Sequence, residues 1–532
     1  MNHRSRPTAV GRRTLLGVPL LGAGALAATP SGAAAPAAAP APAAAPARAA
    51  RPLPGGRVRP GRADRDLLHR WAADTWRSLE AMTVPRTGLI SDNIGADLSG
   101  HSRHTSPTNI GGSLWSTLIA RELGLLSPGR ARARIAATLR SLERMEHHEP
   151  SGMYVNWYNE TDRTILRSWP GTGADVVPFV SSVDMGWLGA ALHLVAEADP
   201  GSRRPARRLL DRMRWDVFFD RDVEAQPGQT IGGFWLEDPR REDAELLPLM
   251  NGIAGEDVWY HTGHHYDTAV SEARMVTYLG IMRGQIPPAA YFTTFRTFPP
   301  EWDWSEMPPV GEWTEHEGVA VFEGAHTYRG MEIVPGWGGS MFEELMPDLF
   351  VPEAAWGPDS WGRNHPLHVR AQREHGLDEA GYGYWGFSPS SDPHGGYREY
   401  GVDALGLNPT GYFSDAAGTD WHVGDPYPQG LDGVVTPHAA ALALQYEPEA
   451  ATENLSRIES ELGAYGPGGF HDAVAVATGV RAERHLSLDQ SMILGALGNV
   501  LLDGRLHEWF ATDEVEAALR PVLAQEVFRA HG

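Results

Sequence analysis

Two carboxylic acids stand near the starts of strongly patterned helical segments. Asp184 lies in FVSSVDMGWLGAAL, and Glu272 lies in SEARMVTYLGIMRG. A protonated carboxyl group beside an ionised carboxylate can hydrolyse a glycosidic bond, because one donates a proton to the leaving oxygen and the other drives attack at the anomeric carbon. Each acid closely follows a serine, so each could equally stabilise the N-terminus of its helix without any catalytic role.

A histidine-rich segment precedes Glu272. It reads HTGHHYD and contains His261, His264, His265 and Asp267, a spacing that could ligate a metal ion. Loop histidines this close more often bind sugars, carboxylates or backbone groups, and no second group of ligands is apparent, so a binding role is favoured over a metal site. Further polar residues that could cap helices or pair with one another are His471, Asp472, Asp489 and Gln490.

The composition excludes several other kinds of chemistry. The 532 residues include no Cys and no Lys, so disulfides, thiolate nucleophiles, thiolate metal sites and Schiff-base catalysis are impossible. No Gly-rich phosphate loop follows a strand, and no strand-bounded G-x-S-x-G motif is present, which argues against nucleotide binding and a nucleophilic serine. The net charge of −22 argues against nucleic acid or anionic lipid as partners. The 18 Trp residues could supply flat surfaces for sugar rings.

The N-terminal residues have the pattern of an export signal. Arg12 and Arg13 precede an apolar stretch and a run of small residues, which predicts a twin-arginine signal peptide over residues 1–35. The apolar stretch is shorter than the ~20 residues that a membrane span needs. Residues 36–62 are rich in Ala and Pro and are predicted to be a linker. We therefore expect residues 63–532 to form one secreted domain, free of the membrane after cleavage.

Helical periodicity dominates that domain and must position the candidate acids. A clear example starts at Ser127 and Pro128, a good cap and first-turn pair, and continues with apolar Ile135, Leu139 and Leu142. Similar segments are predicted over residues 64–82, 108–126, 181–197, 203–215, 271–283, 366–379, 436–446, 451–462, 488–502 and 513–529.

Long connections rich in Gly, Pro, Trp and Asp separate these helices. They cover residues 146–180, 217–270, 286–340 and 380–435. Loops of this length in a compact domain usually carry function. Helix pairs alternating with such loops predict an all-α toroid whose loops form a cleft at one end. A helical solenoid would show a repeat of fixed period, and none is present.

Nine segments, in order, resemble the bacterial glucoamylase-like domain family, which includes endo-β-1,2-glucanases and the transglycosylase domain of cyclic β-1,2-glucan synthases. They are HTSPTNIGGSLWSTLIARELGLL, GMYVNWYNETDRTILRSWPGTGADVVPFVSSVDMGWLGAAL, SEARMVTYLGIMRGQIP, GWGGSMFEELMPDLF, YWGFS, YGVDALGL, VVTPHAAALAL, GGFHDAV and LDQSMI. The resemblance runs from about residue 65 to residue 510. It implies an (α/α)6 toroid with a sugar cleft at one end, no metal and no organic cofactor.

The resemblance also implies roles for individual residues. Glu272 in SEAR matches the general acid of the family, and Asp184 matches a residue of the cleft that is a candidate base or subsite residue. Asp267 and Glu343 are further candidates. The residues expected to orient the acid, bind hydroxyls or stack on sugar rings are His261, His264, Tyr266, Arg274, Trp157, Trp187, Trp337 and Trp385.

One segment departs from the family pattern. The cyclic-glucan synthases carry W-G-I-S-E-S-A-Y, whereas this chain reads WGFSPSSDP, with Pro389 in place of the glutamate and Asp392 three residues later. The missing carboxylate argues against a retaining transglycosylase. It favours an inverting hydrolase in which Asp184 or Asp392 activates a water.

We therefore expect a secreted, monomeric glycoside hydrolase that cleaves a β-glucan internally, as an endo-β-1,2-glucanase does. Three alternatives remain open at this point. The same fold could act on another glycan such as an arabinan, because a fold does not determine a substrate. It could be a polysaccharide lyase, or, since Pro389 replaces the glutamate, a glycan-binding cell-envelope protein without catalytic activity.

Overall fold

The computed structural model describes residues 62–221, 228–241, 244–246, 260–301, 307–407 and 424–532, with the isolated residues 416, 419, 421 and 422. The predicted signal peptide with Arg12 and Arg13, and nearly all of the linker, lie outside the described residues. Fourteen α-helices lie within them. They are α1 Arg62–Ala81, α2 Pro107–Glu122, α3 Pro128–Leu142, α4 Ser182–Ala198, α5 Arg203–Asp211, α6 Arg274–Met282, α7 Met341–Leu345, α8 Glu353–Trp356, α9 Trp361–Glu374, α10 Pro437–Leu442, α11 Pro448–Ser460, α12 Ser487–Leu501, α13 Arg505–Phe510 and α14 Asp513–Leu523.

The helices fall into two kinds. Nearly every residue of α2, α4 and α12 is buried, whereas α3, α5 and α14 bury only one face and expose charged residues on the other. A helix that is apolar all round belongs in the core, and an amphipathic helix covers it. No helix among the described residues is both long and apolar enough to cross a membrane.

The buried helices pack against one another in a circuit. Helix α2 contacts α4 and α12, α4 contacts α6, and α10 contacts both α7 and α12. Arg274 at the start of α6 donates hydrogen bonds to backbone carbonyls of α7, which joins these two helices. Each buried helix also has an outer partner: α2 packs on α3, α4 on α5, α6 on α14, α7 on α9, α10 on α11, and α12 on α1.

The molecule is mostly helical rather than wholly helical, which corrects the all-α prediction. The connections predicted as loops contain short strands, whose bounds are β1 Asn93–Gly95, β2 Phe179–Ser181, β3 Phe219–Asp220, β4 Gln229–Ile231, β5 Gly233–Trp235, β6 Ala244–Leu246, β7 Tyr260–Thr262, β8 His265–Tyr266, β9 Val310–His316, β10 Val319–Tyr328, β11 Met331–Ile333, β12 Ser390–Ser391, β13 Tyr397–Arg398, β14 Val434–Val435, β15 Tyr465–Gly466, β16 Gly469–Phe470, β17 Val474–Ala475 and β18 Arg484–Leu486. All their pairings are antiparallel.

Two of these sheets arrange the segment before α6. A four-stranded sheet has the order β2-β5-β7-β6, and a three-stranded sheet has the order β3-β4-β8. In the first, His261 pairs with Phe234, and Phe234 pairs with Val180 just before α4. The sheets therefore bring the histidine-rich segment and the strand leading into α4 together.

Most predicted helix bounds agree with the structure, and the exceptions have physical causes. Helix α6 begins at Arg274 rather than at residue 271, because the residues before it form tight turns in which the N–H groups of Arg274 and Met275 donate to carbonyls three residues back. Helix α14 ends at Leu523 rather than at residue 529. The residues after it pair with β11 instead, where the N–H of Glu332 donates to the carbonyl of His531 at 2.7 Å.

Candidate active site

The N-termini of four buried helices gather acidic side chains. Asp184, Glu343 and Asp489 each occupy the third position of α4, α7 and α12, and Glu272 stands two residues before α6. The unpaired N–H groups and the dipole of a helix N-terminus favour negative charge. The same feature that stabilises each helix start therefore supplies a carboxylate.

Glu272 lies at the centre of the first acidic group. Its Oε2 accepts a hydrogen bond from Nε1 of Trp187 at 2.5 Å, and its backbone N–H donates to Oε2 of Glu343 at 2.6 Å. Burial of the carboxyl group and the charge of Glu343 raise the pKa of Glu272 well above its usual value; the Trp187 bond opposes this and the Asp184 charge adds to it. Part of the Glu272 side chain stays accessible, so a carboxyl group with a raised pKa is open to a ligand.

Glu343 is the neighbour that most affects Glu272. Burial raises the pKa of Glu343 to about 7, although hydrogen bonds from the Glu272 N–H and the Ser271 hydroxyl and the charge of Arg274 oppose the shift. The charge of Glu399 raises that pKa further. Glu399 is thus a fourth acid of this group, and the sequence analysis did not single it out.

Asp184 is held firmly beside this pair. Its Oδ2 accepts from the amide of Asn156 at 3.0 Å, and its Oδ1 accepts from the backbone N–H of Thr108 at 3.3 Å. Its own N–H donates to the capping hydroxyl of Ser181. These bonds join the N-termini of α2 and α4.

A second acidic group was missed as a site by sequence reasoning. The protonated carboxyl of Asp489 hydrogen-bonds to Asp472, because burial and the Asp472 charge raise the pKa of Asp489 well above its usual value. Asp472 also accepts the N–H of Ser391 at 2.7 Å. His438 lies 3.3 Å from Asp489 and is neutral, since burial lowers its pKa to about 3.

Tyr397 is close enough to both acidic groups for their charges to act on it. Burial raises its pKa well above the usual value, and the charges of Asp489, Asp472, Glu399 and Glu272 raise it further. Charges from both groups thus act on one hydroxyl. The signal that could have identified Asp489 from the sequence is its position three residues into a buried helix, which it shares with Asp184.

Asp392 is held within a hairpin, and its role as a base stays a prediction. Its carboxylate forms an ion pair with Arg398 and accepts the N–H of His394 at 2.7 Å. Both partners belong to the hairpin of β12 and β13. Asp392 therefore stabilises a turn.

Two of the four predicted stacking tryptophans are buried in the core. Trp187 is fully buried and Trp385 is 2 % exposed, so neither can stack on a sugar. Trp187 instead serves as the hydrogen-bond donor to Glu272. Trp337 remains partly exposed, with its ring centroid 5.7 Å from that of Phe298.

Trp157 is partly exposed and belongs to an aromatic cluster that the sequence did not reveal. Its ring centroid lies 5.7 Å from that of Trp169 and 5.2 Å from that of His104. Burial alone would lower the pKa of His104, but Asp92, 3.6 Å away, raises it. We call Trp157, Trp169 and His104 the aromatic cluster; it adjoins Asn156, which binds Asp184.

The histidine-rich segment does not form the metal site that its spacing could have supplied. Nε2 of His265 lies 2.8 Å from Asp220, and Nδ1 of His261 lies 2.8 Å from the carbonyl of Thr262. His264 packs against Tyr266, with ring centroids 6.0 Å apart. Burial raises the pKa of Asp267, just beyond them, to about 7.

Arg274 lies behind the acids, which corrects its predicted role in hydroxyl binding. Its guanidinium is buried and binds the carboxylate of Glu353 and several backbone carbonyls. Among the described residues, the one group whose ligand atoms could surround a metal ion is Asp348, Glu353 and His365. The Arg274 guanidinium already pairs with the Glu353 carboxylate of that group, so the group has a cationic partner within the protein.

Comparison with known proteins gives a consistent relationship. The Glycoamylase family model matches residues 308–514, and a model for a protein family of unknown function, DUF3131, matches residues 70–224. The chain is 29% identical over 283 residues to the cyclic β-(1,2)-glucan synthase NdvB of Rhizobium meliloti (strain 1021). This match covers 50% of the chain and only 8% of that much longer protein.

Solved structures with the same fold include three glucanases. The β-1,2-glucanase from Parabacteroides distasonis has a TM-score of 0.62 at 14% identity, covering 87% of this chain and 60% of that one. The endo-β-1,2-glucanase from Talaromyces funiculosus, in complex with sophorose, has a TM-score of 0.60 at 12% identity, covering 88% of this chain and 90% of that one. The endo-β-1,2-glucanase from Chitinophaga pinensis has a TM-score of 0.57 at 15% identity, covering 86% of this chain and 98% of that one. The resemblance to the glucoamylase-like family is confirmed, and these likenesses establish the fold.

Proposed function

We propose that the protein is an exported glycoside hydrolase that cleaves a β-glucan, specifically a β-1,2-glucan, internally. The observation that carries the proposal is the position of Glu272 at a buried helix start, beside the Glu343 carboxylate, where burial and that neighbouring charge raise its pKa. A neutral carboxyl group close to other acids is what a general acid requires at neutral pH. The relatives that share this fold and are glucanases support the choice of substrate.

We further propose that the helices form an (α/α)6 toroid with the sugar cleft at the end where the acids gather. The circuit of buried helices, each with an outer partner, supports this arrangement. All of the acids described above lie at helix N-termini or in the adjoining connections. Two partly exposed tryptophans, Trp157 and Trp337, would contribute sugar-stacking surfaces to the cleft.

In the proposed reaction Glu272 donates its proton to the glycosidic oxygen as the bond to the anomeric carbon breaks. Water attacks that carbon from the opposite face, and a carboxylate takes the proton released from the water. Nε1 of Trp187 fixes the Glu272 side chain by its 2.5 Å bond, which leaves the other carboxyl oxygen for the substrate. After each turnover Glu272 regains its proton from solvent.

Two carboxylates are candidates for the base. Asp184 acts on the pKa of Glu272 and so lies near it, whereas an inverting reaction needs about 6.5–9.5 Å between the carboxyl groups to accommodate a water. We propose that Asp472, of the second acidic group, meets that need; its charge and that of Glu272 both act on Tyr397. The Asp472 carboxylate accepts the N–H of Ser391 and also hydrogen-bonds with Asp489. We assign Asp472 as the base and Asp184 to substrate binding.

The test uses the chain without residues 1–35, with linear β-1,2-, β-1,3- and mixed-linkage glucans and an arabinan as substrates. We expect short oligosaccharides from β-1,2-glucan alone, and NMR of the first products should show an inverted anomeric configuration. The E272Q variant should lose several orders of magnitude in kcat and still bind the oligosaccharides. Near-normal turnover by E272Q would remove Glu272 from the mechanism.

Other outcomes would identify the alternatives. Products from arabinan alone would keep the fold and change the substrate. Unsaturated products that absorb in the ultraviolet would indicate a lyase, and saturable sugar binding without new reducing ends would indicate a binding protein. Transport of a folded reporter fused to residues 1–62, abolished by R12A/R13A, would test export through the twin-arginine pathway.

A further inference from the structure

A buried charged network lies directly behind Glu272. The Nε of Arg274 donates to Oε1 of Glu353 at 2.7 Å and its Nη2 donates to Oε2 at 3.0 Å, so the pair is bidentate. The guanidinium carbon lies 4.4 Å from the ring centroid of Trp361. Planar stacking and a two-pronged bond are arrangements that suit arginine and not lysine.

The same guanidinium holds the two chain segments that carry the acids. Its Nη1 donates to the carbonyl of Ser271 at 2.9 Å and to that of Glu343 at 2.6 Å. Its Nη2 donates to the carbonyl of Glu344 at 2.5 Å. Ser271 immediately precedes Glu272. One rigid group therefore sets the distance between the backbone of Glu272 and that of Glu343.

Further bonds fix the guanidinium itself. Glu353 accepts the hydroxyl of Tyr278 at 2.6 Å and lies 3.3 Å from Nε2 of His365, whose Nδ1 is 2.6 Å from Glu344. Burial alone would raise the pKa of Glu353, but Arg274 and His365 lower it to about 2. The two carboxylates likewise overcome the effect of burial and raise the pKa of His365 to about 9. The charges of the network therefore stay constant between these values.

We propose that Arg274 is a positioning residue for the general acid: it fixes the segment that carries the Glu343 carboxylate beside the backbone of Glu272. This inference rests on the proposed function in taking Glu272 as the acid. Arg274 acts in two ways, through the three carbonyls that it binds and through its charge, which favours ionised Glu343. Ionised Glu343 in turn disfavours loss of the Glu272 proton. Asp184 from α4 and Tyr397 from β13 also face Glu272, and they do not contact Arg274.

The test compares R274K with R296K. Arg296 is equally buried and forms an ion pair with Glu526, so R296K perturbs a comparable buried charge away from the acids. For R274K we expect kcat to fall about 100-fold with KM changed less than about twofold, as misplacement of a catalytic group predicts. The alkaline limb of the kcat profile should also move to lower pH. R296K should lower stability and leave both kcat and the limb unchanged.

A second measurement needs no turnover and therefore separates this inference from the proposed function. Thermal unfolding is followed from pH 5 to pH 9 with and without E272Q in the wild-type and R274K backgrounds. A group whose folded pKa is raised contributes stability below its unfolded pKa and loses it as pH rises through the folded value. The contribution of Glu272 to thermal stability should therefore disappear at a lower pH in R274K than in the wild type.

The results have clear consequences. The proposal would be overturned if the contribution of Glu272 to thermal stability had the same pH dependence in the wild-type and R274K backgrounds. It would also be overturned if R274K and R296K shifted the alkaline limb of the kcat profile equally. If R274K does not fold, E353Q weakens the same anchor while keeping the guanidinium, and it should shift both readouts in the same direction. Absence of any shift with folded E353Q and folded R296K would also overturn it.

Discussion

The Glu343 carboxylate affects both the backbone and the side chain of Glu272. It accepts the Glu272 N–H, and its charge is the neighbouring charge that most raises the pKa of the Glu272 side chain. A glutamine would keep the accepting oxygen and remove the charge. Residue 343 thus allows the electrostatic effect to be tested separately from the geometric one.

For E343Q we expect the alkaline limb of the kcat profile to move to lower pH by about one unit, because one neighbouring charge at close range shifts a pKa by that order. The change should appear at and above neutral pH, since Glu343 has a pKa of about 7 and carries little charge below it. The profile is measured on the substrate that the glucan panel identifies.

E447Q is the matched control for that experiment. Burial also raises the pKa of Glu447, but its partner is Arg373 at 2.7 Å. Its removal should leave the limb where it is in the wild type. A limb in E343Q at the wild-type position, with the protein folded, would show that Glu343 does not maintain the Glu272 proton.

Sequence reasoning at the level of single residues found the acids more readily than their supports. Glu272 and Glu343 stand in helix-start patterns that also suit capping, and the structure brings them into contact. Arg274 was expected to orient the acid and to bind sugar hydroxyls, because a sequence does not show that its side chain faces the core. Asp472 and Asp489 were considered as helix caps or as paired residues; the structure shows that they hydrogen-bond to each other at the start of α12.

At the scale of elements, the connection between α3 and α4 carries the aromatic cluster. Trp169 sits in a tight turn in which its backbone N–H donates to Ala174 at 2.8 Å, so its ring is held without depending on core packing. Its partly exposed ring contacts Trp157 and His104. The cluster would form a sugar-stacking surface next to Asn156 and Asp184.

We expect W169A to raise KM for long oligosaccharides about threefold to tenfold, equivalent to the roughly 0.5–1.5 kcal/mol of an aromatic contact. The kcat value should change less than about twofold, because the cluster does not touch Glu272. Isothermal titration of oligosaccharides into W169A/E272Q measures the binding loss directly.

W313A is the control for W169A, because Trp313 is an exposed tryptophan on a different element, β9. Trp313 is 53% exposed on β9 and packs against Phe322, with ring centroids 5.5 Å apart. Its removal should leave KM unchanged. If W169A and W313A had the same affinity as the wild type, the aromatic cluster would not be a sugar subsite.

Element prediction succeeded where periodicity was strong and failed where it was absent. The starts of α2, α3 and α4 follow from their Ser caps and apolar spacing. The strands from β3 to β8 are two or three residues long, too short for an alternating pattern to be recognised. They depend on partners in other connections, so local sequence could not predict them.

At the scale of the whole molecule, closure of a ring of helices requires contacts between segments far apart in sequence. One such contact joins the segment after α14 to the segment after α6, where Arg296 forms a fully buried ion pair with Glu526. Tyr291 also donates to Glu526, and Nε1 of Trp361 on α9 donates to the Tyr291 hydroxyl at 2.8 Å. Neither the pairing nor its burial can be read from the sequence pattern.

We expect E526A to destabilise the fold by about 3–5 kcal/mol, because among the described residues it leaves the buried Arg296 guanidinium with Glu323, 4.0 Å away, as its remaining acidic partner. Urea unfolding followed by tryptophan fluorescence measures the change. E516A is the control, since the Glu516–Arg520 pair on α14 is exposed and should contribute less than about 1 kcal/mol. The alkaline limb of the kcat profile should be the same in both variants, because neither contacts the acids. Equal stability of E526A and E516A would show that the buried pair does not hold these segments together, and the cohesion of the ring would then have to come from apolar packing alone.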